Sequence, residues 1–187
     1  MATSSIILIV AGVLILLLFI STYNKLVKLR NNREQSFADI DVQLKQRHDL
    51  IPQLVDSVKG YMKHESEVLT RVTDARSHAM NANSIDDKIA AENQLSQALS
   101  GLQISVEAYP DLKANQNFMN LQEEISDVEN KLAAARRFFN SATKEYNNAA
   151  EVFPSNLIAG MFGFKREQMF DLGTQREILE KAPEIKF

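Results

Sequence analysis

The chain has 187 residues with 45% hydrophobic and 24% charged side chains, which suits one helical or mixed domain with an appendage and excludes both a disordered tail and a polytopic membrane protein. It has no Cys, which excludes a disulfide framework, a thiolate zinc site and a Cys nucleophile, and its six Gly and four Pro leave long stretches without a breaker. The net charge of −3 conceals a cluster of four bases at residues 25–33; the remainder is acidic and does not attract a phosphate backbone, so no nucleic-acid partner is expected.

The first element is a membrane span. Ile6–Ile20 reads IILIVAGVLILLLFI, and the uncharged stretch Ser4–Tyr23 is 20 residues long. As a helix it measures about 30 Å, one hydrocarbon thickness. A cleaved signal peptide would carry a basic residue ahead of the apolar run and a small-x-small site after it. Neither is present, since the first base is Lys25 and FISTYNKLV offers no such site. Residues 1–24 are therefore read as an N-terminal tail and retained anchor. Lys25, Lys28, Arg30 and Arg33 follow with no acid among them. Positive charge collects on the cytoplasmic flank, so the N-terminus is expected outside and the rest in the cytoplasm of a bacterial inner (cell) membrane. These bases mark topology and can also meet anionic head groups.

Beyond the anchor, Leu26, Phe37, Ile40 and Leu44 carry a helical pattern towards His48. A second seam runs Ile51, Leu54, Val58, Tyr61, Glu65, Val68, Val72, Ala75, Ala79 and Ala82. The 3-4 register is unbroken from residue 37 to 82, as in one kinked helix, yet a helix over 25–82 would lack partners of matching length. The expectation is a break near Asp49, with Asp49 as N-cap and Pro52 in the first turn. A third helix opens at Ser84, with Asp87 three residues on as in a capping box, and runs Ile85, Ile89, Leu95, Leu99, Leu102 and Val106.

The clearest pattern lies between Pro110 and Pro154, 43 residues without Gly or Pro. Phe118, Leu121, Ile125, Val128, Leu132, Ala135, Phe139, Ala142, Tyr146, Ala149 and Phe153 recur at alternating steps of three and four, the seam of a bundle helix. The connections near 47–49, 82–84 and 109–115 are short, which makes consecutive helices antiparallel neighbours. The expected fold is all-α: a single N-terminal transmembrane helix followed by an antiparallel up-and-down four-helix bundle over residues 25–153. Residues 154–187 are read as a short apolar helix and a partly ordered tail. The segment PSNLIAGMFGF has two expected roles, a cap that closes the bundle core or a short helix lying on the membrane interface.

Chemistry is sparse. A di-iron bundle needs Glu-x-x-His twice, and the chain has none; its histidines are His48, His64 and His78. Glu65 is an acid in an apolar seam, expected to pair with Arg47 or Arg33 or to reach water at the rim. Arg136 and Arg137 beside Asn140 could recognise a carboxylate or phosphate, or pair with nearby acids. No phosphate loop, nucleophile elbow or H-E-x-x-H occurs. No catalytic, cofactor-binding or metal-binding residue is assigned, no cofactor is expected, and the chain is not expected to be an enzyme.

Four stretches, ADIDVQLKQRHDLIPQLV (38–55), YPDLKANQNFMNLQEE (109–124), AARRFFN (134–140) and FPSNLIAGMFGF (153–164), closely resemble the LemA family of bacterial membrane proteins. The span followed by YNKLVKLRN resembles it too. The resemblance implies a four-helix up-and-down bundle, a short extracellular N-terminus and a link to membrane remodelling. No activity is established for the family, so it transfers no catalytic residue. Two functions follow as expectations: a membrane-anchored scaffold with protein partners, or a sensor bundle in which Glu65, the histidines or the Arg pair hold a metal ion or small anion.

Overall fold

The computed structural model describes residues 2–62 and 64–170, and every regular element among them is helical. The elements are α1 (Ala2–Lys59), α2 (Ser66–Asn81), α3 (Ile85–Val106), α4 (Pro110–Lys113), α5 (Gln116–Glu151) and α6 (Ser155–Phe162). They form two compact units. The first takes α1 as far as Asp39 together with Ala135–Met169, and the second is built on Ile40–Ala134. The end of the C-terminal tail, including APEIKF, lies outside the described residues.

The expected break near Asp49 does not occur: α1 is a single helix of 58 residues that runs through Pro52. Proline inside a helix removes one N–H and leaves the carbonyl four residues earlier without its donor. Here that carbonyl belongs to His48, and Arg76 Nε of α2 donates to it at 2.7 Å. A side chain 28 residues away thus supplies the hydrogen bond that Pro52 withholds. The helix ends instead at Lys59, ahead of Gly60. The other connections fall where the pattern puts them. Ser84 caps α3, its Oγ accepting the Asp87 N–H at 3.0 Å.

In the second unit, one apolar core joins four helical segments. Ile51, Leu54 and Val58 of α1 share it with Val68, Leu69 and Val72 of α2, Leu95, Leu102 and Val106 of α3, and Phe118 of α5. Two positions of the expected seam are displaced. Tyr61 is 41% exposed, while its neighbour Met62 is buried. Glu65 is half-buried at the start of α2, past the helix end, so it is not the acid embedded in the core.

In the first unit, α1 and α5 lie antiparallel. Phe37 meets Phe139 edge to face, with ring centroids 5.4 Å apart. Earlier on α1 and later on α5, Leu26 and Leu29 cluster with Tyr146 and Ala150. The α5 seam is buried or half-buried from Phe118 to Ala149, then fails at Phe153, which is 75% exposed. The reason is local: α5 stops at Glu151, and the chain turns through Pro154 into α6. Gly163, at φ 73°, ends α6 in the left-handed conformation that an L side chain resists. The turn brings Phe164 back into the cluster with Leu26 and Tyr146.

The apolar residues from Ile6 to Leu18 are each half or more exposed, so no part of the described protein covers them. An exposed, uncharged helix of this length is satisfied by lipid, and the chain is a membrane protein held by the start of α1.

Candidate functional site

Two polar arrays inside the helices gather charged groups away from water. The first lies in the second unit. Arg47 of α1 is 2% exposed and Glu92 of α3 is 1% exposed. Arg47 Nη1 donates to Glu92 Oε2 at 2.8 Å, and Nη2 reaches Glu129 Oε1 of α5 at 2.6 Å and Ser96 Oγ at 3.0 Å. His48 Nε2 lies 2.6 Å from the other Glu92 oxygen. Near this array, Lys88 pairs with Asp41 at 2.7 Å. Both oxygens of Glu92 are therefore occupied by protein groups. A buried Arg–Glu–His cluster of this kind, reaching water only at Glu129, fixes the register of three helices.

Of the two roles expected for Glu65, the pair with Arg47 or Arg33 is not formed, since Arg47 takes Glu92 and Glu129 and Arg33 takes Glu167 at 3.3 Å; half-buried Glu65 fits the rim position instead. The signal for Glu92 was present. The α3 seam steps from Ile89 to Leu95, a gap of six, and Glu92 stands three residues from each. An acid in the missing core position of a helix is the mark of a buried pair.

The second array lies in the first unit. Arg33 is 4% exposed, with its guanidinium 5.0 Å from the centre of the Phe139 ring. It donates to the Gln168 carbonyl at 3.3 Å. The buried Asn147 grips the backbone of Glu167 from both sides: its amide nitrogen donates to the carbonyl and its oxygen accepts the N–H, each at 2.9 Å. Together these bonds strap residues 164–168 along the helix pair. Burial pushes the Tyr146 hydroxyl above its usual pKa of 10.0; the charge of Glu167 adds to this, and Arg30 and Arg33 oppose it. An open groove of about 450 Å³ runs beside this region, lined by Lys25, Leu29, Glu145, Asn148 and Phe153 among others.

The remaining sequence candidates do not converge. His64 and His78 are exposed, and His48 is committed to Glu92. No group of three or more His, Asp and Glu side chains is arranged to hold a metal among the described residues, so the metal-binding alternative is without support. Arg136 is buried while Arg137 is exposed. Adjacent helix residues do not share a face, so the two do not form a joint anion fork.

The LemA family model matches residues 36–187. The chain belongs to the LemA family. This LemA-family chain is 27% identical over 143 residues to Protein LemA of Metamycoplasma hominis, covering 75% of this chain and 65% of that one. It is 23% identical over 189 residues to magnetosome protein MamQ of Magnetospirillum gryphiswaldense, covering 85% and 70% respectively. A similar match, 22% over 193 residues, is made to magnetosome protein MamQ 2 of Paramagnetospirillum magneticum. The chain thus spans about two thirds of the length of these curated relatives.

Proposed function

We propose that the chain is a membrane-tethered scaffold that organises other proteins at the bacterial inner membrane and turns over no substrate of its own. The observation that carries this reading is α1 itself. The span and the helix that enters the second unit's core are one uninterrupted element, Ala2–Lys59. A single helix that joins the span to that core suits a part whose task is to keep a protein surface tied to the membrane. The buried ion pairs support the same reading, since Glu92 and the Arg33 and Arg47 guanidinium ends are engaged by protein groups. The basic flank Lys25–Arg33 favours an external N-terminus and cytoplasmic helices. The MamQ relatives, named as magnetosome proteins, are consistent with a membrane-associated role.

The test is a thermal-shift panel of divalent metals, phosphate and carboxylates on the full chain in detergent micelles. A scaffold gives no saturable shift with any of them. A shift that saturates with one ion would make the chain a ligand-binding sensor instead. Orientation is checked separately by thiol labelling in intact cells, with the only thiol introduced at Thr3 or at Ile104. Labelling of the first and protection of the second is expected; the reverse pattern would invert the topology.

A further inference from the structure

One helix of the first unit keeps an apolar face that its own unit does not cover. Residues 152–164 contain no charged side chain. Within them Ile158, Ala159 and Phe164 are buried against Leu26, Leu29 and Tyr146. Val152, Phe153, Leu157, Met161 and Phe162 are 50–75% exposed. Leu157 and Met161, four residues apart on α6, form one exposed stripe, and Phe153 lies exposed in the turn ahead of it. A short helix whose only polar side chains, Ser155 and Asn156, stand in its first turn is normally enclosed over the rest of its surface, by protein or by lipid. Here protein encloses half of it.

The position of α6 argues for what covers the other half. The Phe162 ring lies 5.9 Å from Phe19 and 4.7 Å from Tyr23, at the end of the membrane span. Phe19 belongs to the uncharged stretch, and Tyr23 is its last residue. The exposed stripe therefore continues a surface that lipid already covers. Bases follow on the water side: Lys25 and Lys28 on α1, and Lys165 just after the Gly163 turn, are all exposed. The nearby acids are partly neutralised, since Glu151 holds Arg166 at 2.8 Å and Glu167 holds Arg33. The segment is too short to cross a bilayer. Its length and composition suit a helix lying in the head-group region.

We propose that α6 is an interfacial membrane helix. Its Leu157–Met161 stripe and Phe162 enter the boundary between head groups and acyl chains of the leaflet from which the span emerges. Lys25, Lys28 and Lys165 face lipid phosphates there. The two sequence-based roles of the segment are thereby divided between its faces: one closes the end of the helix pair, and the other rests in lipid.

The chain has no Cys, so Met161→Cys provides a single thiol for a nitroxide. The full chain is reconstituted in phosphatidylcholine vesicles containing phosphatidylglycerol, and power saturation is compared for oxygen and for a nickel chelate present on both sides. Leu14→Cys reports the span by itself. Phe138→Cys, 56% exposed on α5 beside the position that packs on Phe37, reports water. The expected label at Met161 is rich in oxygen and several-fold less accessible to the chelate than the label at Phe138. Leu157→Cys, also exposed, should behave alike. Chelate access equal to that at Phe138 would overturn the proposal. So would protection from both reagents, which would mean that a second copy or another protein covers the stripe. A failure at Leu14 would instead refute the span.

Discussion

The sharpest test of the helix register is the pair Phe138 and Phe139. Phe139 is fully buried, meets Phe37 edge to face at 5.4 Å, and carries the Arg33 guanidinium 5.0 Å above its ring. Truncating a buried Phe to Ala costs about 3–5 kcal/mol through lost transfer energy and the cavity left behind. The aromatic pair and the cation–π contact add roughly 0.5–1.5 kcal/mol each, so the upper part of that range applies. Phe138 is 56% exposed, and less than half of its apolar surface is at stake. Its truncation should cost under about 1 kcal/mol, scaled from the value for full burial. For a chain of this size 1 kcal/mol moves Tm by about 2–4 °C. Phe139→Ala should therefore lower the melting midpoint of the full chain in detergent by roughly 8–20 °C, and Phe138→Ala by less than about 4 °C. The midpoint is read by circular dichroism. Equal losses at the two positions would refute the register and the antiparallel pairing of α1 with α5.

Three further outcomes are expected. Glu92→Ala strands the buried Arg47 and should destabilise the second unit by about 3–5 kcal/mol, while Arg47→Met with Glu92→Met should recover most of that loss in denaturant titrations. Arg76→Met should cost about 1–3 kcal/mol because the His48 carbonyl loses its donor, and a Pro52→Ala background, which restores a backbone N–H, should remove much of that cost; a double-mutant cycle without coupling would dismiss the rescue of Pro52 by Arg76. The raised Tyr146 pKa favours the neutral phenol in the folded state, so its contribution is complete below the ordinary value of 10.0 and is lost as pH rises through the folded value. Melting temperature should therefore fall above about pH 10, and less steeply in Tyr146→Phe; identical alkaline profiles would contradict the burial argument.

How far the sequence disclosed this fold depends on whether the deciding contact is local. The α5 seam from Phe118 to Ala149 was legible because a repeat of three and four residues has one packing solution, and burial follows it. The Ser84 cap was legible because its bond closes over three residues. The break assigned to Asp49 was not, because Pro52 is tolerated only through Arg76, which no local pattern links to His48. Gly60 was the true terminator and was available in the sequence. Glu92 is visible as the filled gap between Ile89 and Leu95, whereas its partners on α1 and α5 are set by tertiary packing that no local pattern shows. The strap formed by Asn147, Arg33 and Glu167 had no periodic signature at all, since it joins side chains to an extended backbone segment.

The central claim, that the helices serve as a docking surface at the membrane, is tested most directly by photo-crosslinking in native membranes. A photoreactive residue at Val42 or Ile104, 63% and 72% exposed in the second unit, samples that surface without disturbing its core. The account predicts discrete protein adducts by mass spectrometry that differ between the two positions and disappear when the chain is expressed without residues 1–24. Crosslinks to lipid or water alone at both positions, with no protein adduct, would contradict it.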